Sequence, residues 1–280
     1  MEIRENGSRL HFMNSSQKEK TVGAAPVGAS DRESAAKAVQ EMFTSIAPRY
    51  DLLNHVLSFN IDRLWWWRTA RRFDAILKRP GACALDLCCG TGDMAFALRR
   101  RAGAGGAKIL GADFSHAMLQ RASAKGRAAC AAKETGQAET GQAPSLRWVE
   151  ADALRLPFPG GQFDLVTSAF GFRNLADYDA GLREIARVLR PGGECGILDF
   201  GEPRGLIGEV YRVYFKKVLP AIGTLISGVR GPYAYLPASV ERFPAPEEMM
   251  GRMRQAGFSE ASWTPYTMGV AGVYWGRKAD

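Results

Sequence analysis

The chain has 280 residues, of which 46% are hydrophobic and 24% are charged. These values are typical of one substantial α/β domain with appendages and exclude a chain that is disordered throughout. The net charge of +8 suits a nucleic acid, an anionic membrane surface or an ordinary solvated surface, and does not choose among them. No apolar run is long enough to span a membrane, and residues 1–28 lack the pattern of a secretory signal, so a cytoplasmic location is expected. Five cysteines without a CxxC pair favour neither a disulfide framework nor a metal site.

The N-terminal part of the chain is predicted to be a tail followed by a helical lid. Residues 1–30 are polar and rich in small side chains, which indicates a flexible tail. Apolar residues then recur at helical spacing in Asp31–Leu53, with Ser30 placed to cap the first turn. A second helix is expected over Asp62–Leu77, where three consecutive tryptophans stand among arginines. Residues 31–80 therefore form the predicted lid.

From residue 82 onward, short apolar runs alternate with helical periodicity. This alternation predicts an α/β fold with a mostly parallel sheet and helices on both faces. The predicted parallel strands are Ala82–Leu87, Lys108–Asp113, Leu146–Glu150, Phe163–Ala169 and Gly193–Phe200. The predicted helices are Met94–Arg101, Ala117–Ala128, Tyr178–Leu189 and Pro246–Ala256. Two final strands, Phe258–Thr264 and Gly269–Gly276, are expected to be antiparallel.

Two segments interrupt this pattern within the main domain, residues 81–280. Residues 128–145 are rich in alanine and glycine, contain a five-residue duplication, and are predicted to be a surface loop insertion. Residues 203–245 are predicted to be a substrate-side segment, helical to about Ile226. A loop rich in glycine, proline and tyrosine is expected over Gly228–Pro237.

A strand that runs into a glycine turn and then a helix, residues 85–93, is the strongest local signal. Gly90 and Gly92 allow a ligand to approach the backbone, and the helix N-terminus offers unpaired N–H groups. The turn also fits a loose dinucleotide fingerprint. However, Asp86 and Asp93 place two carboxylates where a pyrophosphate would sit. They suit a ligand that carries a cationic ammonium and sulfonium instead.

Acidic residues also follow the next two strands. Asp113 stands 21 residues after Gly92, where a carboxylate can accept hydrogen bonds from both hydroxyls of a ribose. Asp152 is placed to accept from an adenine amino group, with apolar neighbours covering the ring. Its alternative role is a helix cap.

The turn and the two later acids resemble class I S-adenosylmethionine methyltransferases. This resemblance implies a Rossmann-like sheet and S-adenosylmethionine as the cofactor. It also implies that the matching residues contact that cofactor, namely Asp86, Gly90, Thr91, Gly92, Asp113, Asp152 and Ala153. Cys88 departs from the pattern, since many members have a glycine there, and a cysteine limits the backbone freedom of the turn.

Motifs from Val39 onward resemble the ubiquinone/menaquinone biosynthesis C-methyltransferases. Three of them are Phe43-x-x-Ile46-Ala47-x-x-Tyr50-Asp51, Phe170-Gly171-Phe172-Arg173-Asn174 and Arg187-Val188-Leu189-Arg190-Pro191-Gly192-Gly193. The resemblance implies methylation of a ring carbon of a polyprenylated demethylquinol and leaves open whether the ring is benzene or naphthalene. Tyr274-Trp275, which lacks the histidine common near the end of that family, and Ala169, which replaces a serine, are departures.

Methylation of a carbon requires an electron-rich ring carbon in line with the donated methyl group. The resemblance implies that Arg173 stabilises a developing phenolate, because a guanidinium stays charged in a dry pocket. Asn174 would orient the same oxygen or a bridging water, and Tyr50 and Asp51 would form or relay to the base. A surface salt bridge for Arg173, a helix cap for Asn174 and a core position for Tyr50 are the alternatives.

Partners are less constrained by the sequence. Leu206–Arg230 mixes aromatic, aliphatic and basic residues, which suits an apolar groove, a face resting on anionic lipid at the inner side of the membrane, or an ordinary core helix. An RNA methyltransferase would account for the charge, but the FGFRN motif does not resemble the turn that holds a flipped base, so no nucleic acid is expected. A homodimer and a non-catalytic cofactor-binding subunit are left open.

Overall fold

The computed structural model describes residues 23, 24, 26, 28–47, 50, 51, 58, 60–134, 146–201, 203, 208, 214 and 232–280. Within these residues the chain forms one seven-stranded sheet with the order β3-β2-β1-β4-β5-β7-β6. The strands are β1 Cys83–Leu87, β2 Lys108–Asp113, β3 Arg147–Glu150, β4 Phe163–Ala169, β5 Leu189–Phe200, β6 Phe258–Tyr266 and β7 Ala271–Lys278. Strands β1 to β5 are parallel, and β7 pairs antiparallel with both β5 and β6. The predicted mostly parallel sheet with an antiparallel C-terminal end is confirmed.

Helices precede and connect these strands. They are α1 Arg32–Ile46, α2 Ile61–Arg72, α3 Asp74–Leu77, α4 Asp93–Ala102, α5 His116–Glu134, α6 Tyr178–Val188, α7 Pro232–Arg242 and α8 Pro246–Gln255. No helix in the described part of the chain has the length and hydropathy that a membrane span needs.

Two apolar clusters lie on opposite faces of the sheet, because neighbouring residues of a strand point to opposite sides. In β1, Leu85 belongs to the cluster covered by α6 and α8, whereas Ala84 belongs to the cluster covered by α2 and α4. Val166 and Leu165 divide in the same way in β4. Burial of both faces explains why the strands read as continuous apolar runs, and it confirms helices on both sides.

The helix boundaries differ from the prediction at two places in the N-terminal part of the chain. Asp31, not Ser30, caps α1: its carboxylate accepts from the Ser34 N–H at 2.9 Å, and the Ser34 hydroxyl accepts from the Asp31 N–H at 3.1 Å. A carboxylate with a reciprocal partner three residues later is the stronger cap. The single helix expected over Asp62–Leu77 is broken at Phe73, where the backbone leaves helical geometry with φ −100° and ψ 20°.

The segments outside the regular pattern also differ in part. Ala24 lies in the predicted tail, yet it is buried and donates its N–H to the Leu175 carbonyl at 2.7 Å. Helix α5 continues through the first seven positions of the predicted insertion, and 135–145 lie outside the described residues. The loop prediction over Gly228–Pro237 is wrong from position 232, where α7 begins, because burial of Val240 on its inner face stabilises a helix there. Most of 203–231 lies outside the described residues.

Candidate active site

A cleft that opens to solvent lies at the carboxyl ends of β1, β2, β3 and β4. The sheet order reverses direction between β1 and β4, and ligands of such sheets bind at this switch point. The strand ends contribute Asp86, Asp113 and Asp152, while Tyr50 and Asn174 line the cleft from other segments. Residues predicted from separate motifs are thus brought to one cavity.

The glycine turn between β1 and α4 has a shape that few side chains fit. Gly92 has φ +89°, a region that side chains rarely adopt, and a Cβ there would lie 2.6 Å from the Trp148 ring. Cys88 also has a positive φ of 53°. The cysteine therefore takes the left-handed conformation that glycine has without strain, and it remains in the cleft wall.

Asp113 connects this turn to the end of β2. Its Oδ2 accepts the Gly90 N–H at 2.8 Å, and its Oδ1 accepts the Ser115 N–H at 2.9 Å. Burial raises the pKa of Asp113 to about 6. Since each carboxylate oxygen can accept more than one hydrogen bond, both oxygens can still accept hydroxyl groups of a ligand.

Asp86 is a buried carboxylate of which only one oxygen accepts a hydrogen bond within the described residues. It is completely buried, and its Oδ1 accepts the Thr167 hydroxyl at 2.9 Å. Its Oδ2 has no hydrogen-bond partner among the described residues. Burial raises the pKa of Asp86 to about 7. A buried acceptor without a partner costs free energy, which a cationic or N–H donor from a ligand would remove.

A network of charges joins the lid to the glycine turn. Lys125 Nζ lies 2.8 Å from Asp51 Oδ2 and 2.9 Å from Asp93 Oδ1. The Thr91 hydroxyl donates to Asp51 Oδ1 at 2.5 Å and accepts from Lys125 Nζ at 3.0 Å. Asp51, expected to form or relay to the base, therefore contacts the glycine turn. The ammonium of Lys125 also balances the negative charge of Asp93. Of the two carboxylates, Asp86 is therefore the one whose charge would disfavour a pyrophosphate here.

Asp152 and Ala153 lie where β3 ends. Asp152 is exposed, and its Oδ1 accepts the Leu154 N–H at 2.9 Å. It thus caps a turn and not a helix. Ala153 is buried and lines the cleft beside it.

The FGFRN loop forms the opposite wall of the cleft. Phe170 has a positive φ of 57°, and a Cβ on Gly171 would lie 2.4 Å from Cys88 Cβ. Only a glycine therefore permits this close approach between the loop and the turn. Asn174 lines the cleft, and its Oδ1 is buried without a partner among the described residues.

Arg173 lies behind that wall in a buried ion pair. Its Nη1 lies 2.8 Å from Asp199 Oδ1, and its backbone N–H donates to Asp199 Oδ2 at 3.2 Å. Nη1 also donates to the Phe170 carbonyl, and the guanidinium stands 5.1 Å from the centre of the Phe200 ring. Nε has no partner among the described residues. The surface salt bridge considered for Arg173 is thus a buried one. Asn174 is not the cap of α6, because Asp177 fills that position.

Tyr50 lines the cleft and packs edge-on against Phe43, with ring centres 6.0 Å apart. A Cβ on Gly90 would lie 3.9 Å from its ring. The aromatic ring therefore stands between the lid and the glycine turn and is not confined to a core.

A family model described as the ubiE/COQ5 methyltransferase family matches residues 30–278. The chain belongs to this family. It is therefore a methyltransferase, as the resemblance of its motifs implied. The predicted family, fold class and enzyme class are confirmed.

Curated relatives match nearly the whole chain. A demethylmenaquinone methyltransferase from Deinococcus radiodurans is 48% identical, over 90% of this chain and 97% of its own length. One of the same name from Thermus thermophilus is 49% identical, over 85% of this chain and 100% of its own length. A solved structure of a SAM-dependent methyltransferase from Thermotoga maritima has a TM-score of 0.56 at 18% identity, covering 86% of this chain and 99% of that chain. That structure supports the fold.

Three residues that support the site were not predicted from the sequence. Lys125 stands in a helix with many basic residues, Trp148 reads as an ordinary strand residue, and Asp199 reads as the end of a strand. No local signal separates the first two from surface and core positions. Asp199 did carry one, because an acid after a buried strand at the carboxyl edge of a parallel sheet lies near the site.

Proposed function

We propose that this methyltransferase transfers the methyl group of S-adenosylmethionine to a ring carbon of a polyprenylated demethylnaphthoquinol, in the synthesis of a respiratory quinone. The observation that carries the proposal is that one wall of the cleft holds Asp86 and Asp113 and the opposite wall holds Asn174. The two relatives at 48% and 49% identity, both named demethylmenaquinone methyltransferase, favour a naphthalene over a benzene ring.

The acidic wall fits the cofactor. The unpartnered Oδ2 of Asp86 would accept from the ammonium group, and Asp113 would hold the ribose hydroxyls. Ala153 would cover the adenine while Asp152 accepts from its amino group, and Gly90, Thr91 and Gly92 would let the ligand approach the backbone of the turn. When bound, S-adenosylmethionine supplies an electrophilic methyl group.

The opposite wall fits a quinol oxygen. Asn174 would orient the oxygen or a bridging water in the cleft. The charge of Arg173 would stabilise the developing phenolate, and Asp199 would fix the orientation of the guanidinium. Tyr50 would relay the proton from the cleft, with Asp51 held beside it by Lys125.

A polyprenyl tail is held in a bilayer, so we propose that the enzyme acts at the inner membrane surface. The segment 206–230, for which the sequence leaves an apolar groove, a lipid-facing surface and a core helix open, falls largely outside the described residues.

Light scattering on the purified full chain tests the homodimer that the sequence leaves open.

Label transfer tests this function. The full chain is incubated with methyl-labelled S-adenosylmethionine and, separately, a short-chain demethylnaphthoquinol, a benzoquinol precursor and bulk RNA. We expect label in the naphthoquinol. Label in the benzoquinol or in RNA alone would overturn the substrate assignment.

Two variants test Asn174 on the quinol wall and Arg173 behind it. Arg173→Lys keeps the charge but loses Nε–H and the planar fork, and Asn174→Ala removes the unpartnered oxygen. We expect kcat to fall at least about tenfold in each, with cofactor affinity unchanged, since one hydrogen bond to a developing oxyanion contributes that much or more. Lys108→Gln, exposed at the start of β2, is the matched control. Unchanged kcat in both variants would refute these roles.

A further inference from the structure

The outer face of α2 is unusual for a solvated helix. Ile61, Leu64 and Trp67 are 36%, 49% and 45% exposed, and they recur every three residues on one side of the helix. Met268, at 67%, completes the set of large exposed hydrophobic residues in the described part of the chain. Isolated exposed hydrophobic residues are common, but a cluster on one helix indicates an interaction surface.

The turn that carries Met268 is attached to α2. The indole N–H of Trp65 donates to the Thr267 hydroxyl at 2.8 Å, and the Arg68 guanidinium stands 4.3 Å from the centre of the Tyr266 ring. The fourth exposed hydrophobic side chain therefore adjoins the same helix. We call this set, Ile61, Leu64, Trp67 and Met268, the α2 apolar cluster.

The charge around the cluster has one sign. Four exposed arginines share the helix with it: Arg63, Arg68, Arg71 and Arg72. None of the four forms an ion pair within the described residues, and Asp62, the one acid of the helix, is 3% exposed. Arg100 of the neighbouring α4 is exposed as well. Arg68, Arg71 and Arg72 stand over the rings of Tyr266, Trp67 and Trp275, contacts that leave their positive charge without a counter-ion. Arginines without an acidic partner beside tryptophan and aliphatic residues match the interface of an anionic bilayer, where cations meet headgroups and apolar groups enter the acyl boundary.

The inner face of the same helix borders the cleft. Trp66 is 8% exposed and lines the cavity, and Trp65 packs against Phe170, with ring centres 5.8 Å apart. The helix therefore has one side on the candidate active site and the other side on solvent. A membrane contact here would place the cleft beside the surface in which a polyprenylated substrate is held.

We propose that the α2 apolar cluster and its arginines dock this enzyme on an anionic lipid bilayer. The inference rests on the proposed function for its purpose, delivery of a lipid-held quinol, but the binding itself can be measured without turnover. It places the contact on α2, apart from the segment 206–230.

Vesicle flotation with the full chain tests the binding. The probes are vesicles of phosphatidylcholine alone and vesicles in which about a third is phosphatidylglycerol. We expect binding to the anionic vesicles that weakens as salt rises. Leu64→Ser/Trp67→Ser should raise the lipid concentration for half-binding at least about tenfold. Arg63→Gln/Arg71→Gln should raise it roughly twenty-five-fold, because each arginine near such a surface contributes roughly fivefold.

The controls separate the surface from charge and folding. Lys108→Gln/Arg254→Gln removes the same charge from exposed positions elsewhere and should bind more tightly than the α2 arginine variant. Trp67→Phe keeps an aromatic side chain and should keep most of the binding. An unchanged melting curve excludes misfolding of the serine variant. Equal lipid binding by wild type and the α2 variants would overturn the proposal. The proposal would also fail if wild type formed a dimer and did not bind lipid, and if the serine variant were a monomer.

Activity distinguishes this proposal from the proposed function. The serine variant should methylate a short-chain soluble quinol as wild type does and should lose at least about tenfold in rate on a long-chain quinol embedded in anionic vesicles. If wild type methylates neither quinol yet floats with anionic vesicles through α2, the substrate assignment fails and the docking surface stands. If both quinols are methylated equally by the variant and wild type, docking through α2 is refuted and the reaction stands.

Discussion

Replacing Asp86 by asparagine should stabilise the protein without its cofactor, and more so at alkaline pH. The carboxyl is fully buried, and burial raises its pKa from the ordinary value of 3.8 to about 7. An ionised group in this position costs folding free energy, because in the unfolded chain the same group ionises in water. The asparagine keeps the size of the side chain and an oxygen that can accept from Thr167.

The size of the effect follows from the two pKa values. A tenfold change in a protonation equilibrium is worth about 1.36 kcal/mol, so a rise from 3.8 to about 7 costs about 4 kcal/mol once both states are ionised, at about pH 8. At about pH 5.5 the folded carboxyl is neutral while the unfolded one is ionised, and the cost is about 2 kcal/mol. The penalty therefore grows as the pH rises from about 4 to about 7. Asp86→Asn should stabilise the protein by about 2 kcal/mol more at pH 8 than at pH 5.5.

Urea unfolding of wild type and variant at the two pH values measures this difference. Any effect of asparagine on packing is the same at both pH values and cancels in the comparison. Glu260→Gln, exposed on β6, is the control and should show no such difference. An equal effect of Asp86→Asn at both pH values, or a larger stabilisation at pH 5.5, would refute a raised pKa. Calorimetry on the same samples should show that the variant loses S-adenosylmethionine affinity at least about tenfold, since a charge-assisted hydrogen bond is lost.

Three further outcomes are expected. Lys125→Met leaves two carboxylates facing each other at partly exposed positions, so it should lower stability by about 1 kcal/mol and weaken cofactor binding measured by calorimetry; unchanged binding would refute its place in the site. Gly92→Ala should lower the free energy of unfolding in urea by about 1–2 kcal/mol or more, because φ is +89° and the new Cβ meets the Trp148 ring, and a neutral result would contradict the backbone conformation. Asp199→Asn leaves the Arg173 guanidinium buried without its counter-charge and should cost about 3 kcal/mol in unfolding free energy; a stabilised variant would contradict the ion pair.

The sequence by itself determined the strand and helix alternation and the glycine turn. These follow from local physics: the apolar runs of β1 and β4 reflect burial on both faces, and Gly90 and Gly92 reflect a backbone that a ligand must approach. Asp86 and Asp113 stand near the carboxyl ends of two successive predicted strands, so the sequence predicted that both acids lie at the same edge of the sheet. In the structure both line one cleft.

Only the tertiary structure decided which charges act together. Lys125 comes 74 positions after Asp51, and Asp199 comes 26 positions after Arg173. Such pairs arise from the packing of α5 and β5 against other elements and leave no periodicity in the sequence. The two sides of α2 are also decided by the tertiary structure. Packing on the sheet buries Trp65 and Trp66 and leaves Trp67 exposed. Burial is a property of the assembled fold, and the pKa values and free surfaces that depend on it are decided there.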